Sequence, residues 1–199
     1  MFSSTEVRWF FNESLPEAVS DWFNLFEPLR QPLRTDYYLK NTDNARMGIK
    51  LREGQIQIKC LVAEMGVQYY ANAVGKVSQY EKWSFPVVSN EEWSALVARP
   101  DVWIPAKKER LMLRYTLGGG FPDRIEMDER IEEGCEVELS KIEIIDKTYW
   151  SLAFEAFGPS AEMNLEKTTR EIFESKTSPI FFDEENSLGY ARLIHDINS

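Results

Sequence analysis

The chain reads as an α+β protein built on one large antiparallel sheet or barrel. Three observations predict this. Nine stretches alternate apolar and polar residues with a period of two, short turn signals join several of them, and only three or four segments carry helical spacing. Short connections imply antiparallel neighbours, and strands with a few separate helices give an α+β class. The 199 residues, 43% hydrophobic and 13% aromatic, suffice for a sizeable core and exclude a disordered chain. No repeat, low-complexity tract or charge block marks a linker, so a single domain over residues 1–199 is expected.

The first strand covers Thr5–Phe11. Ser14 and Glu17 then form a capping-box signature, with Leu15, Ala18, Val19, Trp22, Phe23 and Phe26 at helical spacing after it. Strands are expected at Asp36–Leu39, Arg46–Leu51, Ile56–Leu61 and Lys76–Phe85. Ser89 with Glu92 opens a second helix carrying Trp93, Leu96 and Val97. Four more strands follow, Glu109–Leu117, Arg124–Ile131, Cys135–Ile145 and Tyr149–Phe157. Gly118-Gly119-Gly120 with Pro122, Glu133-Gly134 and Asp146-Lys147 are their turns. Asn164 is placed to cap a third helix with Leu165, Thr168, Ile172 and Phe173 on one face, and a short helix is expected at Ala191–Ile197.

The net charge of −10 argues against general affinity for nucleic acid or an anionic membrane, since both need an electropositive face. It leaves room for a local basic pocket. Cys60 and Cys135 match no metal-ligand spacing and are expected as small buried residues. No stretch approaches the length of a membrane helix, and Arg8 interrupts the only apolar run near the start. A reduced, cytoplasmic enzyme or binding protein is therefore the default expectation; the oligomeric state is left open.

Against that acidity, residues 48–60 string Lys50, Arg52 and Lys59 among isoleucine and leucine. Glu53-Gly54 reads as a two-residue hairpin loop, with glycine supplying the positive φ such turns need. That register sets Arg52 opposite Gln55, Lys50 opposite Gln57 and Gly48 opposite Lys59. Opposed residues share a face, so one face carries Lys50, Arg52, Gln55, Gln57 and Lys59. The other carries Met47, Ile49, Leu51, Ile56, Ile58 and Cys60. A solvated outer face accounts for such a hairpin taken alone. Other strands repeat the pattern, however. Lys108, Arg110 and Arg114 alternate with Leu111, Leu113 and Tyr115; Glu6 and Arg8 share a face; Arg124 and Arg130 flank Glu126 and Asp128. If the sheet closes, these faces converge inside it, where a small barrel can hold one ligand. Cations with a few carboxylates suit a polyanion bound with Mg²⁺ or Mn²⁺.

Other candidates are weaker. His195, the only histidine, has no partner at motif spacing and reads as structural. The three glycines lack the Gly-Lys-Ser/Thr of a phosphate loop. Trp22, Phe23, Trp93, Trp150 and Phe154 sit at apolar periodic positions and read as core. Glu136 and Glu138 share one face, as metal-ligand candidates or as a solvated acidic strand.

In order along the chain, these features resemble the triphosphate tunnel metalloenzymes, the CYTH-domain superfamily, in a divergent form. That family opens with Glu-x-Glu-x-Lys on a strand, to which Ser4-Thr5-Glu6-Val7-Arg8 is similar with Ser4 in place of the first glutamate. Thr35-Asp36-Tyr37-Tyr38, Lys50-Leu51-Arg52, Gln57-Ile58-Lys59, Lys108-Glu109-Arg110 and Leu139-Ser140-Lys141-Ile142 resemble the motifs that follow. The last strand supplies Glu155 where the family carries Glu-x-Glu. The resemblance covers most of the chain and implies an eight-stranded antiparallel barrel, flanked by three or four helices, whose tunnel binds a triphosphate and a divalent metal.

On that resemblance Arg8, Lys50, Arg52, Lys59, Lys108, Arg110, Arg114 and Lys141 would hold phosphates. Glu6 and Glu155, with Glu138, would hold Mg²⁺ or Mn²⁺, while Glu6, Glu155 and Lys59 would carry any catalysis. Glu81 and Glu136 are further substitutes for the missing glutamates. Two functions follow: metal-dependent hydrolysis of inorganic triphosphate or a small organic triphosphate, or non-catalytic binding of a phosphorylated metabolite or nucleotide with a reduced metal site. A barrel whose cations merely face water is the third alternative.

Overall fold

The computed structural model describes residues 1–40, 43–87, 89–118 and 120–198. Among the described residues, nine strands form one antiparallel sheet. They are β1 (Phe2–Phe11), β2 (Leu29–Leu39), β3 (Met47–Arg52), β4 (Gln55–Tyr70), β5 (Ala73–Pro86), β6 (Trp103–Gly118), β7 (Phe121–Ile125), β8 (Gly134–Ile144) and β9 (Lys147–Phe157). The order is β2-β3-β4-β5-β1-β9-β8-β6, and β2 also pairs with β6, which closes an eight-stranded barrel. β7 continues outside the ring, paired to the end of β6 that β2 leaves free. Among the described residues four helices flank the barrel: α1 (Glu17–Asn24), α2 (Asn90–Val97), α3 (Ala161–Ser175) and α4 (Tyr190–Asn198). None of them is long and apolar enough to cross a membrane.

The main core lies outside the barrel wall. Val7 and Trp9 on β1, Val137 and Leu139 on β8 and Leu152 and Phe154 on β9 point outward at period two. They meet Val19, Trp22 and Phe23 of α1 and Leu165, Ile172 and Phe173 of α3. Trp9 packs edge-on against Phe154, Phe173 and Phe182 with centroids 5.4–6.4 Å apart within this group. Each such ring contributes about 1.5–3 kcal/mol by burial. Because helices cover this outer face, the barrel interior is free to be polar over most of its length. At one end α4 acts as a stopper, where inward-facing Phe10, Tyr38, Ile104 and Ile142 pack on Leu193 and Ile194.

The β3–β4 hairpin adopts the expected register, with Arg52 opposite Gln55, Lys50 opposite Gln57 and Gly48 opposite Lys59. Glu53 (φ 48°) and Gly54 (φ 75°) both take positive φ, as this two-residue turn requires.

Several local expectations are corrected. Ser14 caps nothing: α1 starts at Glu17 behind Pro16, because a residue before proline, here Leu15, is driven out of the helical region. Asn164 lies inside α3, whose N-cap is Ser160. The segment after β7 leaves the sheet at Ile125, so Arg130 and Asp128 sit on a loop. Trp93 is half-exposed on α2, a helix without buried residues, although its Ser89–Glu92 capping box forms as expected. Cys135 is buried but Cys60 is half-exposed on the outer face. The β8–β9 loop is Ile145-Asp146. Gly119 of the triple-glycine turn lies outside the described residues.

Candidate functional site

Inward positions of the eight strands enclose a cavity of about 700 Å³. Ten Lys and Arg residues line it against six Asp and Glu, in a chain whose net charge is −10. Asp128, Glu129 and Arg130 come from the loop after β7; strand alternation places the other nine cations and four carboxylates, since every second residue of each strand must face inward.

On one wall, Glu6 of β1 stands directly opposite Glu155 of β9, which stands opposite Glu136 of β8. Three adjacent carboxylates would repel unless cations lay among them. Lys59 of β4 reaches across and bridges the first two, donating to Glu6 and, at 3.2 Å, to Glu155 Oε1. Burial alone would lower the Lys59 pKa, but Glu155 and Glu6 outweigh it and raise it. Glu155 is correspondingly held well below the usual carboxylate range by Lys59, Lys82 and Arg8 against the opposing effect of burial. Arg8 Nε donates to Glu6 Oε1 at 2.9 Å, and its Nη1 to Glu138 Oε1 and Ser151 Oγ at 3.3 and 3.2 Å. Burial pushes Glu138 up, yet Arg8, Lys108 and Arg110 bring it down to about 2. Glu136 accepts from Arg114 Nε at 3.2 Å. Charge on this wall is largely matched.

The facing wall is different. Asp36 of β2 is fully buried, and three cations crowd it. Lys108 Nζ donates to its Oδ2 at 2.9 Å and Lys50 Nζ at 3.2 Å. Arg34 Nε lies 3.0 Å from Oδ1 without hydrogen-bond alignment, so both atoms are left without a hydrogen-bond partner among the described residues. Arg52 and Arg110 stand beyond them in the same cavity. One carboxylate cannot compensate so many cations. Asp36 is accordingly driven far below the usual range by Lys108, Lys50 and Arg34, overcoming its own burial. The lysines nevertheless lose: burial, reinforced by neighbouring cations, lowers Lys50 to about 7 and Lys108 to about 8. Arg110 Nε has no hydrogen-bond partner among the described residues; Nη1 donates to Met112 Sδ at 3.5 Å and lies 3.8 Å from Glu138 Oε2. Burial and Arg34 lower its pKa. This wall holds surplus positive charge and unused N–H donors.

The fold thus brings together Glu6, Arg8, Lys50, Arg52, Lys59, Lys108, Arg110, Arg114, Glu138 and Glu155 from the candidates named by sequence. Lys141 is a correction. It stands one residue out of phase with Ser140 and Ile142, so it faces outward and lies 3.6 Å from Glu109. Glu81 shares the outer face of Cys60. His195 contacts Asp196 on α4. Sequence reasoning missed Arg34, Lys82 and the role of Asp36, although Arg34, Asp36 and Tyr38 share one strand parity. It also missed Tyr190, which lies under Lys108 with Nζ 3.8 Å from its ring centroid and stacks on Tyr38 at 5.2 Å.

The carboxylates expected to hold a metal already have cationic partners. Among the described residues no group of three His, Cys, Asp or Glu is arranged to hold an ion. The expected ligands Glu6, Glu155 and Glu138 are each engaged by Lys59, Arg8 or Arg110, and the Lys59 ammonium sits where Glu6 and Glu155 converge.

No family model matches the chain, and no curated protein does. Solved structures do. A conserved hypothetical protein of Pyrococcus furiosus superposes with a TM-score of 0.50 at 15% identity, covering 94% of this chain and 99% of that one. At that identity the likeness shows a shared fold and nothing further. A Pyrococcus horikoshii protein (TM-score 0.48, 13% identity, 98% and 99% covered) and a proposed adenylate cyclase of Bacillus halodurans (TM-score 0.42, 12% identity, 88% and 91% covered) superpose less well.

Proposed function

We propose that the protein binds a small molecule bearing a polyphosphate, with a triphosphate chain lying between the two walls of the barrel. The carrying observation is the cluster of Arg34, Lys50, Arg52, Lys108 and Arg110 about one buried carboxylate, Asp36, with Arg34 Nε and Nη1 and Arg110 Nε unpartnered among the described residues. Buried polar groups without partners are rare and costly, and guanidinium donors match phosphate oxygens in geometry and charge. An anion entering the cavity would supply what Asp36 alone does not. Because the carboxylates on the opposite wall are already paired, binding is the reading the geometry supports best, ahead of metal-dependent hydrolysis.

Calorimetric titration with inorganic tripolyphosphate at low salt, with and without Mg²⁺ or Mn²⁺ and with released phosphate measured in the same samples, tests this. Saturable binding without turnover is expected. Metal-dependent phosphate release that disappears in Glu155→Gln would replace the binding reading with the hydrolytic one, and no binding at any metal concentration would defeat both.

The lowered lysine pKa values add a pH dependence. In the free protein Lys50 gives up its proton near pH 7 and Lys108 near pH 8. A bound polyanion favours their charged forms, so binding takes up protons across this interval and affinity falls as pH rises from 7 to 9. Both line the cavity, and Lys50 is the more exposed of the two. Titrations in buffers of different ionisation enthalpy should show net proton uptake in the wild type and markedly less in Lys50→Met. Equal pH profiles for the two proteins would contradict the assignment.

A further inference from the structure

Two lysines share one oxygen in the tunnel. Lys50 Nζ on β3 and Lys108 Nζ on β6 both donate to Oδ2 of Asp36, at 3.2 and 2.9 Å. Lys108 has a second acceptor in the Tyr38 hydroxyl at 2.8 Å and is almost fully buried. Lys50 has no second hydrogen-bond partner among the described residues, and its side chain is 21% exposed on the cavity wall. The groups around it are Asp36, Arg34 and Tyr38 on β2, Arg52 on its own strand, Lys108 and Arg110 on β6, and Tyr190 on α4 behind Tyr38. β4 sets the uncharged Gln57 opposite it. Asp36 alone among these is a carboxylate, so little holds a proton on the Lys50 amine. Lys59 is the opposite case, clasped by Glu6 and Glu155.

We propose that Lys50 is a reactive amine that captures a phosphorylated aldehyde as an imine inside the tunnel. This rests on the anion-binding reading and adds a reaction to it, with the guanidinium groups of Arg34, Arg52 and Arg110 taking the phosphate. A lysine amine becomes nucleophilic when burial and a neighbouring cation favour its uncharged form. Both act on Lys50, which gives up its proton near pH 7. Lys108, lowered only to about 8, stays mainly protonated there. The free Lys50 amine attacks the carbonyl carbon, forming the C–N bond. The carbonyl oxygen takes a proton from the Lys108 ammonium and leaves as water, and Lys108 regains from solvent the proton that Lys50 gave up. In sum an aldehyde and an ammonium give an iminium and water. The positive charge beside Asp36 and the bound phosphate is therefore conserved, and the phosphate that favours a charged lysine favours the product equally.

Incubation of the full chain with pyridoxal 5′-phosphate at neutral pH, borohydride reduction to fix the imine as a secondary amine, and peptide mapping by mass spectrometry test the proposal. Label should fall on Lys50 ahead of every other lysine. Tripolyphosphate should displace it, and pyridoxal, which lacks the phosphate, should give far less. The labelling rate should rise through about pH 7 and then level, whereas an ordinary lysine gains reactivity up to about pH 10.4. Lys50→Arg, which keeps a cation but not the amine, should lose the label; mapping the wild type needs no variant and guards against a folding defect in this one. Label spread over surface lysines, or falling on Lys59, Lys82 or Lys108, overturns the proposal. So does label on Lys50 that tripolyphosphate does not displace, or a labelling rate that climbs steadily to pH 10. Calorimetric binding of tripolyphosphate with no label on Lys50 would overturn the reactive amine and leave the tunnel reading intact. Failure of both compounds to bind would overturn both.

Discussion

Asp36→Asn should cost about 3–5 kcal/mol of stability near neutral pH, the range for removing one partner of a buried ion pair. The amide keeps the shape of the side chain but leaves Lys108, itself 2% exposed, together with Lys50 and Arg34, without a compensating charge. For a chain of this size that corresponds to a fall in Tm of roughly 10 °C. The loss should depend on pH in a defined direction. Lys50 and Lys108 already have folded pKa values of about 7 and about 8, below the ordinary lysine value, and the substitution removes the main group raising them. A group whose folded pKa is depressed binds more protons when unfolded, so stability rises with pH toward the unfolded value. The deficit of the variant should therefore shrink between pH 7 and pH 10. Thermal melts of both proteins across that range check the magnitude and the sign together. A deficit under about 1 kcal/mol would show that Asp36 does not hold the cluster.

The legible part of the fold was the part governed by alternation and turns. The β3–β4 register followed from one two-residue loop, because glycine there and the apolar run beside it leave a single pairing that buries Leu51. The inward set on β1 and β6 followed from the same period. Other features depend on contacts that no local pattern records. The start of β2 was hidden because Pro32 and the register shift between Gln31 and Arg34 break the alternation. Proline is tolerated at such a bulge, where a ladder hydrogen bond is already lost. With Arg34 unseen, the crowding around Asp36 was invisible too. Tyr190 enters the cavity from a helix, and which face of α4 plugs the barrel is decided by packing against Phe10 and Tyr38. Lys141 shows the opposite failure. A motif position suggested the tunnel, while its parity on β8 already placed it outside.

Arg110→Met should separate stability from binding. The guanidinium is buried, with Nε unpartnered among the described residues and no carboxylate oxygen closer than 3.8 Å. Its burial lowers its pKa, so the folded protein carries this charge at a cost. Methionine preserves much of the stem's volume and removes the poorly compensated charge, and Glu138 keeps Arg8 as its partner at 3.3 Å. Stability should stay within about 1 kcal/mol of wild type or increase, since replacing a buried charge by an apolar side chain is often neutral or favourable. Such a residue is retained at a folding cost when a ligand uses it.

The deciding measurement is a calorimetric titration of wild type and Arg110→Met with tripolyphosphate at pH 7 and low salt, with thermal melts of the same samples. If the tunnel is a polyphosphate site, the wild type saturates at one equivalent and weakens as salt rises. The variant then binds at least about thirtyfold more weakly, a loss of about 2 kcal/mol, while melting at or above the wild-type temperature. Equal titration curves for the two proteins, or binding lost only together with stability, would contradict it.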